Sequence, residues 1–177
     1  MEKKNNFLFA DKITENRTAF FKRLSEISGN LNIPVNWMML VFYIETGASK
    51  TGVIDHRAYN TKTKATGLIQ FMPATAKSLG TSVEALKEMI NVEQLDYVQK
   101  YLKPYASKIK SYTDCYLAVL FPVAIGKPSS WVLETRNLPA DKVADYNPLF
   151  DTNKDGKITV GEIEEKLKLF IPKDFAL

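Results

Sequence analysis

The stretch Val35-Asn36-Trp37-Met38-Met39-Leu40-Val41-Phe42-Tyr43-Ile44-Glu45 constrains this chain more than any other. Pro34 is suited to open a helix and Gly47 to close one. A helix that is apolar nearly all round belongs inside a core. At about 100° per residue, Met38, Val41 and Phe42 share a face with Glu45, while Asn36 and Tyr43 point the other way. The pattern therefore predicts a carboxyl on an apolar face, in the last turn of a buried helix. Burial disfavours the charged form, and the negative end of the helix dipole disfavours it again. The expectation is a glutamic acid that keeps its proton near neutral pH, as a general acid requires. The alternative is a solvated, inert Glu at a frayed helix end, and the helix pattern alone does not separate the two.

The rest of the chain reads as mainly α. Phe20, Phe21, Leu24 and Ile27 predict a helix over 14–28 that stops at Gly29-Asn30. Residues 48–70, rich in Gly, Thr, Lys and Asn, predict a long loop with room for short strands; so long a loop in a compact domain is usually functional. Pro73 opens a short helix ending at Gly80, and the pairs Thr81/Glu84 and Asn91/Gln94 read as capping boxes for two more. A further apolar helix is expected from Thr113 to Phe121, stopped by Pro122, and a last short one from Asp141 to Tyr146.

Composition excludes several function classes. The chain has 177 residues, 45% of them apolar, which is enough for a core without disulfides. Its single Cys115 directly precedes the apolar run Tyr116 to Leu120 and reads as a core residue rather than a reactive thiol. One histidine, His56, makes a histidine-based zinc site or triad improbable. A net charge of +4 suits an anionic partner such as a cell wall, and without a dense Lys/Arg stripe it gives no case for nucleic acid. Met1 to Ala10 resembles the start of a signal peptide, but its apolar part, Phe7 to Ala10, is shorter than the ~7–15 residues needed. No stretch approaches the ~20 apolar residues of a membrane span. A monomer without an export signal or membrane span is expected.

Beyond Glu45-Thr46 and the polar loop comes Ala65-Thr66-Gly67-Leu68-Ile69-Gln70-Phe71-Met72-Pro73-Ala74-Thr75-Ala76. This arrangement resembles the soluble lytic transglycosylases of the goose-type lysozyme superfamily. They carry Glu-Ser and then a Gly-Leu-Met-Gln-x-Met-Pro-x-Thr-Ala stretch. The resemblance is close over residues 30–80 and weak elsewhere. It implies a lysozyme-like helical domain with a long cleft-lining loop, cleaving the β-1,4 bond of peptidoglycan glycan strands. Glu45 would be the catalytic acid/base, with Thr46 beside it. Gly67 allows close backbone approach to a sugar. Gln70 offers a donor and an acceptor to N-acetyl and hydroxyl groups, or else is a buried amide tying the loop down. Met72 packs under an acetamido methyl, or else simply into the core.

The departures from the family are specific. Its later Ala-Tyr-Asn-Ala-Gly motif supplies a Tyr that bonds to the catalytic Glu. The corresponding helix end here is Leu120-Phe121-Pro122-Val123-Ala124, leaving Tyr116, one turn earlier, as the candidate replacement. Tyr59, in Ala58-Tyr59-Asn60, is a candidate cleft-lining residue but does not inherit the motif's role. Standard glycosidases need a second carboxylate, and Asp55 is the only acid in the loop. It either caps a turn or serves a hydrolytic muramidase. Lack of a partner favours the transglycosylase scheme with a 1,6-anhydro product and no catalytic cofactor; a non-catalytic wall-binding protein on the same fold is the third reading. A wall-degrading chain without a recognisable export signal also suggests a phage lysis or virion protein.

The segment Asp151-Thr152-Asn153-Lys154-Asp155-Gly156-Lys157-Ile158-Thr159-Val160-Gly161-Glu162 fits the EF-hand calcium loop at each defining position. Asp151, Asn153, Asp155, the Lys157 carbonyl, Thr159 and a bidentate Glu162 are the expected oxygen ligands of a structural Ca2+. Gly156 makes the turn, and Ile158 fills the apolar position. An exiting helix over Glu162 to Phe170 is expected, whereas Pro148 interrupts the entering one. Some lytic transglycosylases carry such a loop. The expected division is a lysozyme-like domain over 1–147 and a calcium loop–helix over 148–177, packed on the same domain.

Overall fold

The computed structural model describes residues 7–175, so the first six residues of the leader-like stretch lie outside the described residues. Among the described residues 53% are helical and none forms a strand, in keeping with the mainly α expectation. No helix among them is long and apolar enough to cross a membrane. The chain forms two compact units, residues 1–107 and 108–177. The boundary expected at 147/148 falls inside the second unit, because main-chain hydrogen bonds join the 151–162 loop to residues 129–133.

The first unit is built on α1 (Arg17–Leu31), α2 (Val35–Glu45) and α6 (Asn91–Leu102). Helix α1 runs past Gly29-Asn30 because Leu31 is buried, and it ends where Asn32 takes the left-handed conformation, φ 54°. It packs on α6 and α2. Phe20 is fully buried and meets the edge of Phe42 with ring centroids 6.2 Å apart. Arg23 reaches from α1 to Asp96 on α6, its Nε 2.8 Å from the carboxylate.

Helix α2 is buried as its sequence demands, with Met38, Met39, Leu40, Val41 and Phe42 all in the core. Its polar flank is covered too. The Leu8 N–H donates to the Asn36 side chain at 3.0 Å, and Phe9 stacks on Tyr43 at 3.8 Å. Gly47, at φ 69°, turns the chain out of α2 into the short α3 (Ala48–Thr51). The long loop then folds back through isolated antiparallel bridges, Tyr59 to Thr66 and Thr66 to Phe71. Helices α4 (Pro73–Ser78) and α5 (Val83–Glu88) follow.

Neither expected capping box forms at its expected residues. Helix α5 is capped by Ser82, whose hydroxyl accepts from the Ala85 N–H. At α6 the Glu93 carboxylate accepts from the Ile90 N–H at 3.0 Å. Asn91 and Gln94 are buried instead, on the same face as Leu95, Val98 and Leu102. The Asn91 amide donates to the Glu15 carbonyl (2.7 Å) and so ties the start of α6 to the start of α1.

The second unit holds α7 (Tyr112–Leu120), α8 (Ala140–Tyr146) and α9 (Val160–Phe170). Helix α7 packs on α9 and on the turn Pro122–Ala124. Ser111 caps α7, and the buried Asp114 carboxylate accepts the Lys110 and Gly126 N–H groups, both at 2.9 Å. Cys115 is fully buried, and burial pushes its thiol up to about 12, so it is the inert core residue expected.

Candidate functional site

Glu45 closes α2 and is half-buried there. Thr46 caps the helix: its N–H and its hydroxyl both donate to the Phe42 carbonyl, at 3.0 and 2.7 Å. These bonds hold Thr46 at 6% exposure on the wall of a cleft of about 500 Å³. Asp55, His56, Arg57 and Tyr59 from the following loop line the same cleft, with Glu15 and Asn91. Glu45, Gln70 and Met72 are not among its lining residues.

Asp55 does cap a turn, since its carboxylate accepts the Arg57 N–H at 2.8 Å, yet it still faces the cleft. Arg57 and Glu15 form a two-point ion pair at 2.9 and 3.0 Å on the cleft rim. Hydrogen bonding from Arg57 holds the Glu15 carboxyl below its ordinary value. Tyr59 is 38% exposed and carries the Lys87 ammonium 3.3 Å from its ring centroid. It also lines a second cleft, with Pro73, Lys77 and Ser82.

The Gly67–Gln70 turn is organised by a residue that sequence reasoning had assigned to a cap. Gln94 is fully buried; its amide donates to the His56 and Leu86 carbonyls (2.7 and 2.8 Å) and its oxygen accepts the Leu68 N–H at 3.1 Å. Gly67, at φ 82°, is required here because a Cβ would lie 2.5 Å from the Gln94 oxygen. Gly67 thus lets the loop backbone approach Gln94 closely. The signal was present in the sequence: positions 91, 94, 95, 98 and 102 share one helical face.

Gln70 takes the left-handed conformation, φ 50°, and donates its amide to the Ala58 and Gly67 carbonyls, both at 3.1 Å. It does tie the loop down. Met72 is 45% exposed, so plain core packing does not describe it. Tyr116, in the second unit, is buried against the Phe150 ring at 5.4 Å. A residue not anticipated is Tyr101 on α6. Burial, then Tyr105, then the charge of Glu45 push its phenol up to about 12, which places Tyr101 within electrostatic reach of Glu45. No spacing rule marks it.

His56 is 3% exposed, and its Nε2 is buried without a hydrogen-bond partner. Burial first and Arg57 second hold its pKa below the ordinary 6.5, against the opposing pull of Glu15 and Asp55. The unfolded chain takes up this proton more readily than the folded one, so stability is complete above about pH 6.5 and is lost as pH falls through the lowered folded value. The melting temperature of the chain should therefore fall as the pH drops below about 6.5, and His56→Gln should flatten that slope. Equal slopes in the two proteins would remove His56 from the explanation.

In the second unit, the 151–162 loop has the turns a cation loop needs. The Asp151 carboxylate accepts the Asp155 and Gly156 N–H groups, each at 3.1 Å. Asn153 accepts the Asp155 N–H (2.8 Å), and Asp155 accepts the Lys157 N–H (2.9 Å). Lys154 and Gly156 both have positive φ, 59° and 79°. Glu162 is committed to the start of α9: one oxygen accepts the Thr159 N–H and hydroxyl (2.9 and 3.0 Å), the other the Thr152 hydroxyl (3.1 Å). Burial pushes its carboxyl up, but these bonds outweigh burial and leave it below the ordinary value, hence ionised. Among the described residues no three acidic, His or Cys groups converge as a ready metal cage. The side chains of Asp151, Asn153, Asp155, Thr159 and Glu162 are hard oxygen donors, the kind a calcium loop uses.

The chain matches no protein-family model, no curated protein and no solved structure.

Proposed function

We propose that this protein is a lysozyme-like lytic transglycosylase that cuts peptidoglycan glycan strands, with Glu45 as its single acid/base. One observation carries the reading: a half-buried glutamate ends an apolar core helix, and the next residue, Thr46, lines a cleft. Glu45 gives its proton to the glycosidic oxygen, and the bond from that oxygen to the anomeric carbon breaks. The acetamido oxygen of the same sugar supports the carbon left electron-poor. Glu45, now a carboxylate, takes the proton of the C6 hydroxyl as its oxygen closes on that carbon. Atoms balance without water, and the product is a 1,6-anhydro sugar. Tyr59, Met72 and the Gln70 turn are the chain's candidates for holding the strand.

The place of Asp55 on the same cleft favours one second reading, hydrolysis with Asp55 steering a water. Digesting purified peptidoglycan and weighing the fragments separates the two. Transglycosylation leaves ends lighter by one water than the reducing ends of hydrolysis, and an intact polymer would point to a non-catalytic wall-binding protein.

The 151–162 loop is proposed to hold Ca2+ through Asp151, Asn153, Asp155, the Lys157 carbonyl, Thr159 and Glu162. The ion would cross-link the loop and neutralise its carboxylates, with no part in bond cleavage.

A further inference from the structure

The 151–162 loop is paired with a segment that has a surface of its own. The Leu133 N–H donates to the Ile158 carbonyl (2.7 Å), Val160 to Trp131 (3.0 Å) and Gly161 to Ser129 (2.8 Å). Val132 faces Thr159 across an antiparallel bridge. A Cβ at Gly161 would sit 3.1 Å from the Ser129 carbonyl, so glycine permits this close pairing. The last half of the loop is thus fastened, residue by residue, to positions 129–133. Buried Leu133 anchors that segment, and half-buried Trp131 stands on it with Phe121 packed nearby, ring centroids 6.3 Å apart.

The same segment forms the wall of an open groove of about 730 Å³, lined by Ser130, Trp131, Glu134, Thr135 and Arg136. We propose that this groove is a glycan-binding subsite of the second unit, and that cation binding in the 151–162 loop strengthens it by ordering its wall. The proposal rests on the peptidoglycan reading for the identity of the strand. An indole held by its neighbours offers a flat face to the C–H side of a hexopyranose, and the Ser130 and Thr135 hydroxyls offer both donors and acceptors to its rim. The exposed Arg136, with Lys127 at 6.0 Å from the Trp131 ring, adds positive charge that complements a strand bearing carboxylates. Residues 158–161, which include the proposed ligand Thr159, are bonded through the main chain to this wall, so whatever stiffens the loop stiffens the wall.

The test uses the full chain carrying Glu45→Gln, so that nothing is turned over, and soluble glycan strands freed of their peptides as the probe. Binding is measured by calorimetry with calcium chloride and again with a chelator. Calcium should tighten binding about tenfold. Trp131→Ala should weaken binding about tenfold in calcium and abolish the difference between calcium and chelator. Arg136→Ala, an exposed change that spares the fold, should weaken binding several-fold for these strands and little for chitin fragments, which lack the carboxylate. Unaltered affinity in both variants would overturn the subsite, and equal affinity with calcium and chelator would overturn the coupling. The wild-type digest reports separately on catalysis: an uncut polymer with calcium-tightened strand binding would sink the enzyme and keep the groove.

Discussion

Glu45→Gln is expected to abolish the release of peptidoglycan fragments while leaving the protein folded. The amide matches the carboxyl in shape but can neither give nor take the proton, and the proposed reaction needs both acts from one group. Loss of general acid–base help costs about 10²–10⁴-fold, and here the same residue serves twice, so the upper part of that range is expected. Only half-buried at a helix end, Glu45 should tolerate the change with little loss of stability. The measurement is the rate of soluble fragment release, with thermal unfolding run in parallel. A mutant within a few-fold of the wild-type rate would sink the assignment; Asp55→Asn then becomes the discriminating variant, since the hydrolytic reading depends on it.

How much of this was legible beforehand differs between elements, for physical reasons. Helix α2 could be read because an unbroken apolar pattern has one stable destination, and its end was marked by Gly47. The turns of the 151–162 loop could be read because Asp, Asn and Gly at these positions favour local side-chain-to-backbone bonds, and those bonds form. Gln94 was misassigned because Asn91-x-x-Gln94 satisfies a capping rule and a face rule at once. Burial decided for the face, since the Gly67 turn needs a buried amide to occupy its hydrogen bonds. Tyr101 was missed because its relation to Glu45 comes from the packing of α6, which no spacing encodes. The strand-like partner of the loop, residues 129–133, was invisible for a similar reason: main-chain pairing of two irregular segments leaves little trace in side-chain periodicity. The pairing joins residues 129–133 and the 151–162 loop within the second unit, which begins at residue 108.

Removing calcium is expected to lower the melting temperature without stopping turnover at temperatures where the chain stays folded. Asp151, Asp155 and Glu162 bring three formal negative charges into one loop, where their carboxylates accept backbone N–H groups. The loop and its turns exist only in the folded chain, hence calcium binds that form preferentially and stabilises it by mass action. At a hundredfold excess over the dissociation constant this amounts to about 2.7 kcal/mol. For a chain of this size that is roughly 5–10 °C, at about 2–4 °C per kcal/mol. Glu162→Ala should reproduce the effect of the chelator and make the protein indifferent to it. The variant also loses the cap of α9, so its melting temperature should lie below that of the chelated wild type. Because Glu45 belongs to the first unit and the loop to the second, turnover at saturating glycan should continue in chelator below the melting transition. A melting curve unmoved by calcium removes the ion from the account. Turnover at saturating glycan lost in chelator while the chain is still folded would give the ion a part in bond cleavage.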